Sequence, residues 1–266
     1  MSKRPSLKGF PRDGAHISEV YAYYQERSPH RVAASFSLRV LGAVLRPQVS
    51  HRDGSAIRGH LSEGGLFVIA GNHKRTLDPF IFAAAVGRDV DVLRHLELPD
   101  PETRILAKLS LFNSKVPGVR FFIDAMGAIP VARRKDADTE LGQASRRRLC
   151  ETSTSIVASG SHVMLYPEET RLEKLKPGEK PTSKMGVGII AVDAAAQRQP
   201  GDVRVLPVAV DYTDASMFGV RVHTGESFAV EPYFTQSDEE RTSAIKEVHD
   251  QTMTAIRDAE AYMAAE

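Results

Sequence analysis

The chain reads Leu66-Phe67-Val68-Ile69-Ala70 and continues directly into Gly71-Asn72-His73-Lys74-Arg75-Thr76-Leu77-Asp78-Pro79. The first run is short and apolar and ends at a glycine, which is typical of a buried strand. Because Pro79 disfavours the helical conformation for the residue before it, His73 and Asp78 are not expected on one regular helix. We predict that Asp78 caps a new helix with Pro79 at its first position. The two side chains would then converge across a tight turn at the carboxyl end of a strand, where α/β proteins often bind ligands.

An imidazole paired with a carboxylate has a specific chemical use. The carboxylate accepts a hydrogen bond from one ring nitrogen, which fixes the tautomer and stabilises the imidazolium that forms when the other nitrogen takes a proton. Such a pair can deprotonate a hydroxyl as a general base. On spacing alone a second interpretation stays open, in which Asp78 only caps a helix and His73 has no chemical role.

Further blocks along the chain favour the chemical interpretation. They are Ala107-Lys108-Leu109-Ser110-Leu111-Phe112, Gly127-Ala128-Ile129-Pro130-Val131-Ala132-Arg133, Tyr166-Pro167-Glu168-Glu169-Thr170-Arg171 and Val205-Leu206-Pro207-Val208-Ala209-Val210. Together with Asn-His-x4-Asp at residues 72–78, they resemble the glycerolipid acyltransferases of the 1-acylglycerol-3-phosphate acyltransferase type. That family's signature includes Gly-x-Ile-Pro-Val-x-Arg and Phe-Pro-Glu-Gly-Thr-Arg. The resemblance covers residues 58–210, more than half of the chain.

The resemblance implies a role for each matching position. His73 and Asp78 would be the catalytic pair, and the substrate-binding residues would be Lys108, Arg133, Glu168, Thr170 and Arg171. Arg133 and Arg171 suit a phosphate because a guanidinium matches two phosphate oxygens at once, although arginines of this kind also form plain surface ion pairs. Glu169 departs from the family's glycine and adds bulk and negative charge beside the expected phosphate site, which leaves the acceptor open.

The implied reaction moves a fatty acyl group from the thioester of CoA or acyl carrier protein to the free hydroxyl of 1-acylglycerol 3-phosphate, giving phosphatidate. We expect direct attack in a ternary complex, because the chain has no Gly-x-Ser-x-Gly elbow and Cys150 lies within a predicted helix. We expect no cofactor, and we expect no metal because the remaining histidines are scattered without metal-ligand spacing. The oxyanion donor would be a backbone N–H near Gly127 or in the turn after His73. Two alternatives stay open. One is the same chemistry on glycerol 3-phosphate, another lysophospholipid or a polar lipid, and the other is a catalytically silent lipid-binding homologue.

The amino-terminal part is basic, with nine Lys and Arg against three Asp and Glu in residues 1–52. On a helical wheel residues 31–46 are mostly apolar but carry one narrow polar stripe. The stripe is formed by Arg31, Ser35, Arg39, Gly42 and Arg46. This pattern suits a helix lying in a membrane interface, and it equally suits an amphipathic helix packed on the domain. We predict a basic amphipathic membrane-associating segment at residues 1–50, contacting the membrane surface through residues 31–46, and an acyltransferase domain at residues 51–266.

Strands alternate with helices beyond residue 50. We predict strands at 66–70, 90–93, 128–131, 163–166 and 203–210, and helices at 79–86, 116–122, 139–159 and 187–196. A last helix begins at the capping box Ser237-Asp238-Glu239-Glu240. The fold class predicted is therefore α/β, a central mixed sheet layered with helices, plus an N-terminal amphipathic helical segment.

Composition bounds the location and the partners. The chain has no run of about 18 to 20 apolar residues, the length that a spanning helix requires, and its single cysteine suits a reducing compartment. We expect a cytoplasmic protein, peripheral on the inner face of the cell membrane. No nucleic-acid partner is expected, because the net charge is only +1 and aromatic residues are not interleaved with the basic runs.

Overall fold

The computed structural model describes residues 4–27, 30–89, 91–96, 102–114, 118–132, 139–167, 184–213, 219–231 and 237–265. The strands are β1 (Gln48–His51), β2 (Leu66–Gly71), β3 (Thr103–Lys108), β4 (Ile129–Val131), β5 (His162–Leu165), β6 (Val203–Tyr212), β7 (Val220–Thr224) and β8 (Phe228–Ala229). The α-helices are α1 (Gly14–Glu26), α2 (Arg31–Leu45), α3 (Gly54–Ser62), α4 (Asp78–Arg88), α5 (Leu109–Phe112), α6 (Val119–Ala125), α7 (Thr139–Ala158), α8 (Gly186–Ala195) and α9 (Asp238–Ala265).

The strands form one mixed sheet in the order β1-β7-β6-β2-β5-β3-β4, with β8 also paired to β6. Strands β6, β2, β5, β3 and β4 run parallel, whereas β7 and β8 run antiparallel to β6. The predicted mixed sheet layered with helices, with a helical amino-terminal segment, is confirmed.

The order of the strands places a topological switch point between β2 and β5. The connection from β2 through α4 leads toward β3, whereas the connection from β5 through α8 leads back toward β6. Since such crossovers are right-handed, α4 and α8 cover opposite faces of the sheet. The chain therefore departs in opposite directions from the carboxyl ends of the neighbours β2 and β5, the place where open α/β sheets bind their ligands.

The core is built on the central strands and includes part of α1. Every residue of β2 is buried, as the apolar run predicts. Tyr21 and Tyr24 of α1 are also fully buried and belong to the same apolar core as the sheet. Tyr21 donates a hydrogen bond to the carbonyl of Pro130 in β4 at 3.1 Å. These two tyrosines therefore pack inside the molecule.

Several predicted elements are confirmed with small shifts, among them α7, α8, β5 and β6. The Ser237 hydroxyl accepts from the Glu240 N–H, so the predicted amino-terminal cap of α9 is also present. The predicted helix at 116–122 occurs as α6, Val119–Ala125. The predicted strand at 90–93 is wrong, because Leu93 begins a short 3-10 helix that ends at Leu96. The Asp89 carboxylate accepts from the Val92 and Leu93 amides, which turns the backbone there instead of extending it.

Helix α2 packs on α4 through small residues. A Cβ on Gly87 of α4 would lie 2.0 Å from the Leu38 carbonyl oxygen, and one on Gly42 would lie 3.0 Å from the Ala84 carbonyl oxygen. Only glycine allows the two backbones to approach this closely. Gly42 is thus buried rather than part of an outward polar stripe.

The outward face of α2 is apolar. Val32, Phe36, Val40 and Val44, at intervals of four residues, are 75, 65, 43 and 55% exposed. Phe121 of α6 is 58% exposed, and α6 contacts α2. No helix within the described ranges is both long enough and apolar enough to cross a membrane.

Candidate active site

His73 and Asp78 meet in the turn between β2 and α4. The Nδ1 of His73 lies 3.0 Å from Oδ2 of Asp78, and the two side chains are 12% and 0% exposed. When Nδ1–H donates to the carboxylate, the lone pair of the ring lies on Nε2, the nitrogen that takes a proton in general-base chemistry. The predicted convergence of the two side chains is confirmed, and the pair follows the carboxyl end of β2, next to β5.

The predicted cap by Asp78 is wrong in its detail. Helix α4 begins at Asp78 itself, with Leu77 in the capping position. The Asp78 carboxylate turns back and accepts from the Arg75 N–H at 2.8 Å through Oδ2. Its other oxygen, Oδ1, accepts from the Tyr212 hydroxyl at 2.6 Å. Three donors therefore fix a fully buried carboxylate, since hydrogen bonds to an ionised group are the strong ones.

Asn72 anchors the residue that precedes His73. Its side-chain oxygen accepts from the Val210 N–H at 2.7 Å, while its amide group donates to the Val210 carbonyl at 3.1 Å and to Glu260 at 2.6 Å. The side chain extends the pairing of β2 with β6 beyond Gly71 and is fully buried. The backbone entering His73 is therefore held by the sheet and by α9.

Tyr166 packs against the His73 ring. The two ring centroids lie 4.8 Å apart with their planes 30° from parallel. Burial, followed by the nearby Asp78 carboxylate, raises the pKa of the Tyr166 hydroxyl well above its usual value. This hydroxyl is buried and has no hydrogen-bond partner in the described part of the chain. The ring restricts the imidazole from the β5 side.

Charged groups lie around the turn. Lys74 contacts Asp211 at 2.9 Å and Glu260 at 3.5 Å, and Arg221 contacts Asp211 at 2.9 Å. Although burial opposes it, the hydrogen bonds from Lys74 and Arg221 bring the pKa of Asp211 below its usual value. The Arg75 guanidinium lies 4.0 Å from the centre of the Tyr212 ring. In the described residues, no group of three or more His, Cys, Asp or Glu side chains is arranged to bind a metal.

A comparison with models of protein families identifies the family of the chain. The model of the acyltransferase family matches residues 55–211, which contain the turn with His73 and Asp78, the strands β2 to β5, and β6 up to Asp211. The chain belongs to the acyltransferase family. It is therefore an acyltransferase, acting on an acyl donor and a lipid acceptor. A search of curated proteins finds no match for the chain.

Of the other predicted site residues of the acyltransferase, only Lys108 lies within the described part of the chain. Lys108 ends β3 and pairs with Val131 of β4, at the same edge of the sheet as the turn with His73 and Asp78. Arg133, Glu168, Thr170 and Arg171 lie outside the described residues, as does Glu169. The roles given to these residues remain predictions.

Two other predictions concern backbone and nucleophile chemistry. The Gly127 N–H donates to the Asp124 carbonyl at 3.2 Å, so it is engaged at the end of α6 and is no longer our candidate for an oxyanion donor. Burial raises the pKa of the Cys150 thiol to about 11, so this group remains protonated near neutral pH and is a poor nucleophile.

Sequence reasoning missed four residues of this site. They are Asn72, Arg75, Tyr166 and Tyr212. Asn72 and Tyr166 belong to blocks that match the family signature, so each carried a signal. For Asn72 the signal was a polar side chain next to a buried strand. For Tyr166 it was a tyrosine at a position where the signature has phenylalanine. Tyr212 gave no such signal, because only the pairing of β2 with β6 brings it to Asp78.

Proposed function

We propose that the acyltransferase moves a fatty acyl group from a thioester of CoA or acyl carrier protein to the free hydroxyl of 1-acylglycerol 3-phosphate, forming phosphatidate. The observation that carries the proposal is the buried Asp78 carboxylate paired with His73 in the turn that follows β2. Chemistry that begins by deprotonating a hydroxyl requires a base of this kind.

His73 is the general base and Asp78 its partner. The Nε2 of His73 takes the proton from the acceptor hydroxyl as the hydroxyl oxygen attacks the thioester carbonyl carbon. A C–O bond forms, the carbonyl oxygen gains negative charge, and the C–S bond then breaks to release a thiolate. The proton held on His73 is available to the thiolate or to solvent. The buried carboxylate stabilises the imidazolium while the reaction proceeds.

The acceptor phosphate is assigned to the basic residues of the family blocks. Arg133 and Arg171 bind the phosphate oxygens, and Lys108 adds a third cation. Glu168 orients an arginine or the glycerol of the acceptor, and Thr170 is the fifth substrate-binding residue. Lys108 at the end of β3 supports this assignment by its position on the same edge of the sheet as His73.

The protein is proposed to bind a membrane surface through residues 31–46, within a membrane-associating segment at residues 1–50 that precedes the acyltransferase domain at 51–266. Support comes from the exposed stripe of Val32, Phe36, Val40 and Val44, since exposed apolar patches of this kind mark binding surfaces. The exposed Arg39 and Arg46 flank it and suit anionic headgroups. The proposed location is the cytoplasm, peripherally on the inner face of the cell membrane.

The test measures thiol release from oleoyl-CoA by the purified protein with lysophosphatidate in mixed micelles. Parallel reactions omit the acceptor or contain glycerol 3-phosphate. Release that depends on lysophosphatidate supports the proposal, and release with glycerol 3-phosphate alone assigns a different acceptor. No release with any acceptor and either donor, CoA or acyl carrier protein, from protein that still binds vesicles, favours a silent lipid-binding protein.

A further inference from the structure

We propose that Tyr212 is a positioning residue of the active site, whose hydroxyl holds Asp78 in the orientation that His73 requires and limits how strongly the carboxylate attracts the imidazolium. The proposal deepens the proposed function and rests on it, because it assumes that His73 is the base.

The two carboxylate oxygens of Asp78 accept hydrogen bonds from different donors. Oδ2 accepts from His73 Nδ1 and from the Arg75 N–H, whereas Oδ1 accepts from the Tyr212 hydroxyl at 2.6 Å. A carboxylate held only through Oδ2 can still rotate about its last torsion, which is a broad one. The bond to Oδ1 removes that freedom. Tyr212 therefore fixes the plane of the carboxylate, and with it the direction of the bond to His73.

Tyr212 is itself fixed on two sides. It is the last residue of β6, which pairs with β2 through residues 203–208, and Tyr212 itself pairs with Val220 of β7. The Arg75 guanidinium lies over its ring at 4.0 Å, an arrangement that is attractive because a cation faces the electron-rich side of the ring. Arg75 thus contacts Asp78 with its backbone and Tyr212 with its side chain. The turn and the strand end form one closed set of contacts around the carboxylate.

The hydroxyl also has an electrostatic effect. A donor on Oδ1 disperses part of the negative charge that would otherwise act on the imidazolium. Among the described residues, the other groups near this site are Lys74 and Arg75 in the turn, Tyr166 after β5, Asp211 in β6, Arg221 in β7 and Glu260 in α9. Lys74, Asp211, Arg221 and Glu260 are joined in ion pairs and remain unchanged in the variants below. Loss of the Tyr212 hydroxyl therefore changes the charge felt by His73 through Asp78.

The chain offers a matched control for this loss. Tyr166 carries another buried hydroxyl beside the catalytic pair, but that hydroxyl has no hydrogen-bond partner among the described residues. Tyr212→Phe and Tyr166→Phe each remove one phenolic oxygen from a ring next to the pair. Only the first removes a hydrogen bond to Asp78.

The first readout is the pH dependence of acyl transfer. We expect Tyr212→Phe to lower kcat about tenfold with KM nearly unchanged, because orientation of the base is lost rather than substrate binding. The acid limb of the kcat/KM profile should move upward by about half a pH unit to one unit, since Asp78 then holds the imidazolium more strongly. Tyr166→Phe should leave the acid limb in place. An acid limb of Tyr212→Phe that coincides with that of the unchanged protein, or moves to lower pH, overturns the proposal.

The second readout needs no substrate and separates this proposal from the proposed function. The imidazole resonances of His73 are followed by NMR against pH in the unchanged protein and in both variants. We expect the His73 titration midpoint to move to higher pH in Tyr212→Phe and to stay in Tyr166→Phe. If no thioester reacts but this midpoint moves, the proposed reaction is wrong and the positioning by Tyr212 stands. If turnover is normal and the midpoint is unmoved, the positioning role is refuted.

Discussion

The buried histidine at the start of β5 makes stability depend on pH in a way that can be calculated. His162 is fully buried, its Nδ1 accepts from the Phe67 N–H at 2.9 Å, and its Nε2 lacks a partner within the described ranges. Burial, with a smaller effect of His60, lowers the pKa of His162 from 6.5 to about 3. The folded protein therefore holds this imidazole neutral, whereas the unfolded chain protonates it below pH 6.5.

The direction and the size of the pH effect on stability follow from this difference in pKa between the folded and unfolded states. A group whose pKa is lowered by folding stabilises the fold fully above its unfolded pKa, and the contribution is lost as the pH falls from 6.5 toward 3. Between pH 7 and pH 5 the loss from His162 alone is about 2 kcal/mol, at about 1.4 kcal/mol for each unit of pKa difference that is realised. Because a whole domain is stable by only about 5 to 15 kcal/mol, this loss is readily measured.

The measurement is urea unfolding at pH 7, 6 and 5 for the unchanged protein and for His162→Gln. Glutamine does not titrate, and its carbonyl can accept the Phe67 N–H. His162→Gln should lose about 2 kcal/mol less than the unchanged protein between pH 7 and pH 5. The absolute stability of the variant does not matter, because only the change with pH is compared. His95→Gln, at an exposed position, serves as the control. Equal pH dependence in the unchanged protein and His162→Gln would refute the reasoning.

Three further predictions concern packing, membrane binding and the unpaired hydroxyl. Gly87→Ala should lower the free energy of unfolding by about 1 to 3 kcal/mol, because its Cβ would meet the Leu38 carbonyl. Gly59→Ala, which meets nothing within 4 Å, should not lower it, and equal losses would contradict the close approach of α2 and α4. Phe36→Asp should reduce cosedimentation with anionic vesicles while Thr254→Asp on α9 does not; unchanged binding by Phe36→Asp would exclude this face of α2. Tyr166→Phe should raise the free energy of unfolding by about 1 kcal/mol, because it removes a buried donor that lacks a partner, and a loss of stability would contradict this.

The sequence was most informative where the signal is local. The apolar run of β2 and the spacing of His73 and Asp78 predicted a buried strand and a turn that joins the two side chains, and both are present. The wrong prediction of a strand at 90–93 also concerns a local feature. There the Asp89 carboxylate accepts hydrogen bonds from nearby backbone amides and turns the chain, and a pattern of apolar residues does not predict such hydrogen bonds.

Long-range pairing decides the features that the sequence could not supply. Tyr212 reaches Asp78 across 134 positions of the chain because β6 lies next to β2, and no spacing rule predicts that neighbour. The wheel of α2 identified its apolar residues but not which of them face the domain. Gly42 and Gly87 decide this, since they allow α2 to pack on one side and leave Phe36 and its neighbours exposed.

The proposed reaction depends most on His73 acting as the general base of acyl transfer. The most direct test compares lysophosphatidate-dependent thiol release from oleoyl-CoA by the unchanged protein and by His73→Ala, with circular dichroism confirming that both are folded. We predict that the rate falls by about 10²- to 10⁴-fold in His73→Ala. A folded His73→Ala protein that retains full activity would contradict it.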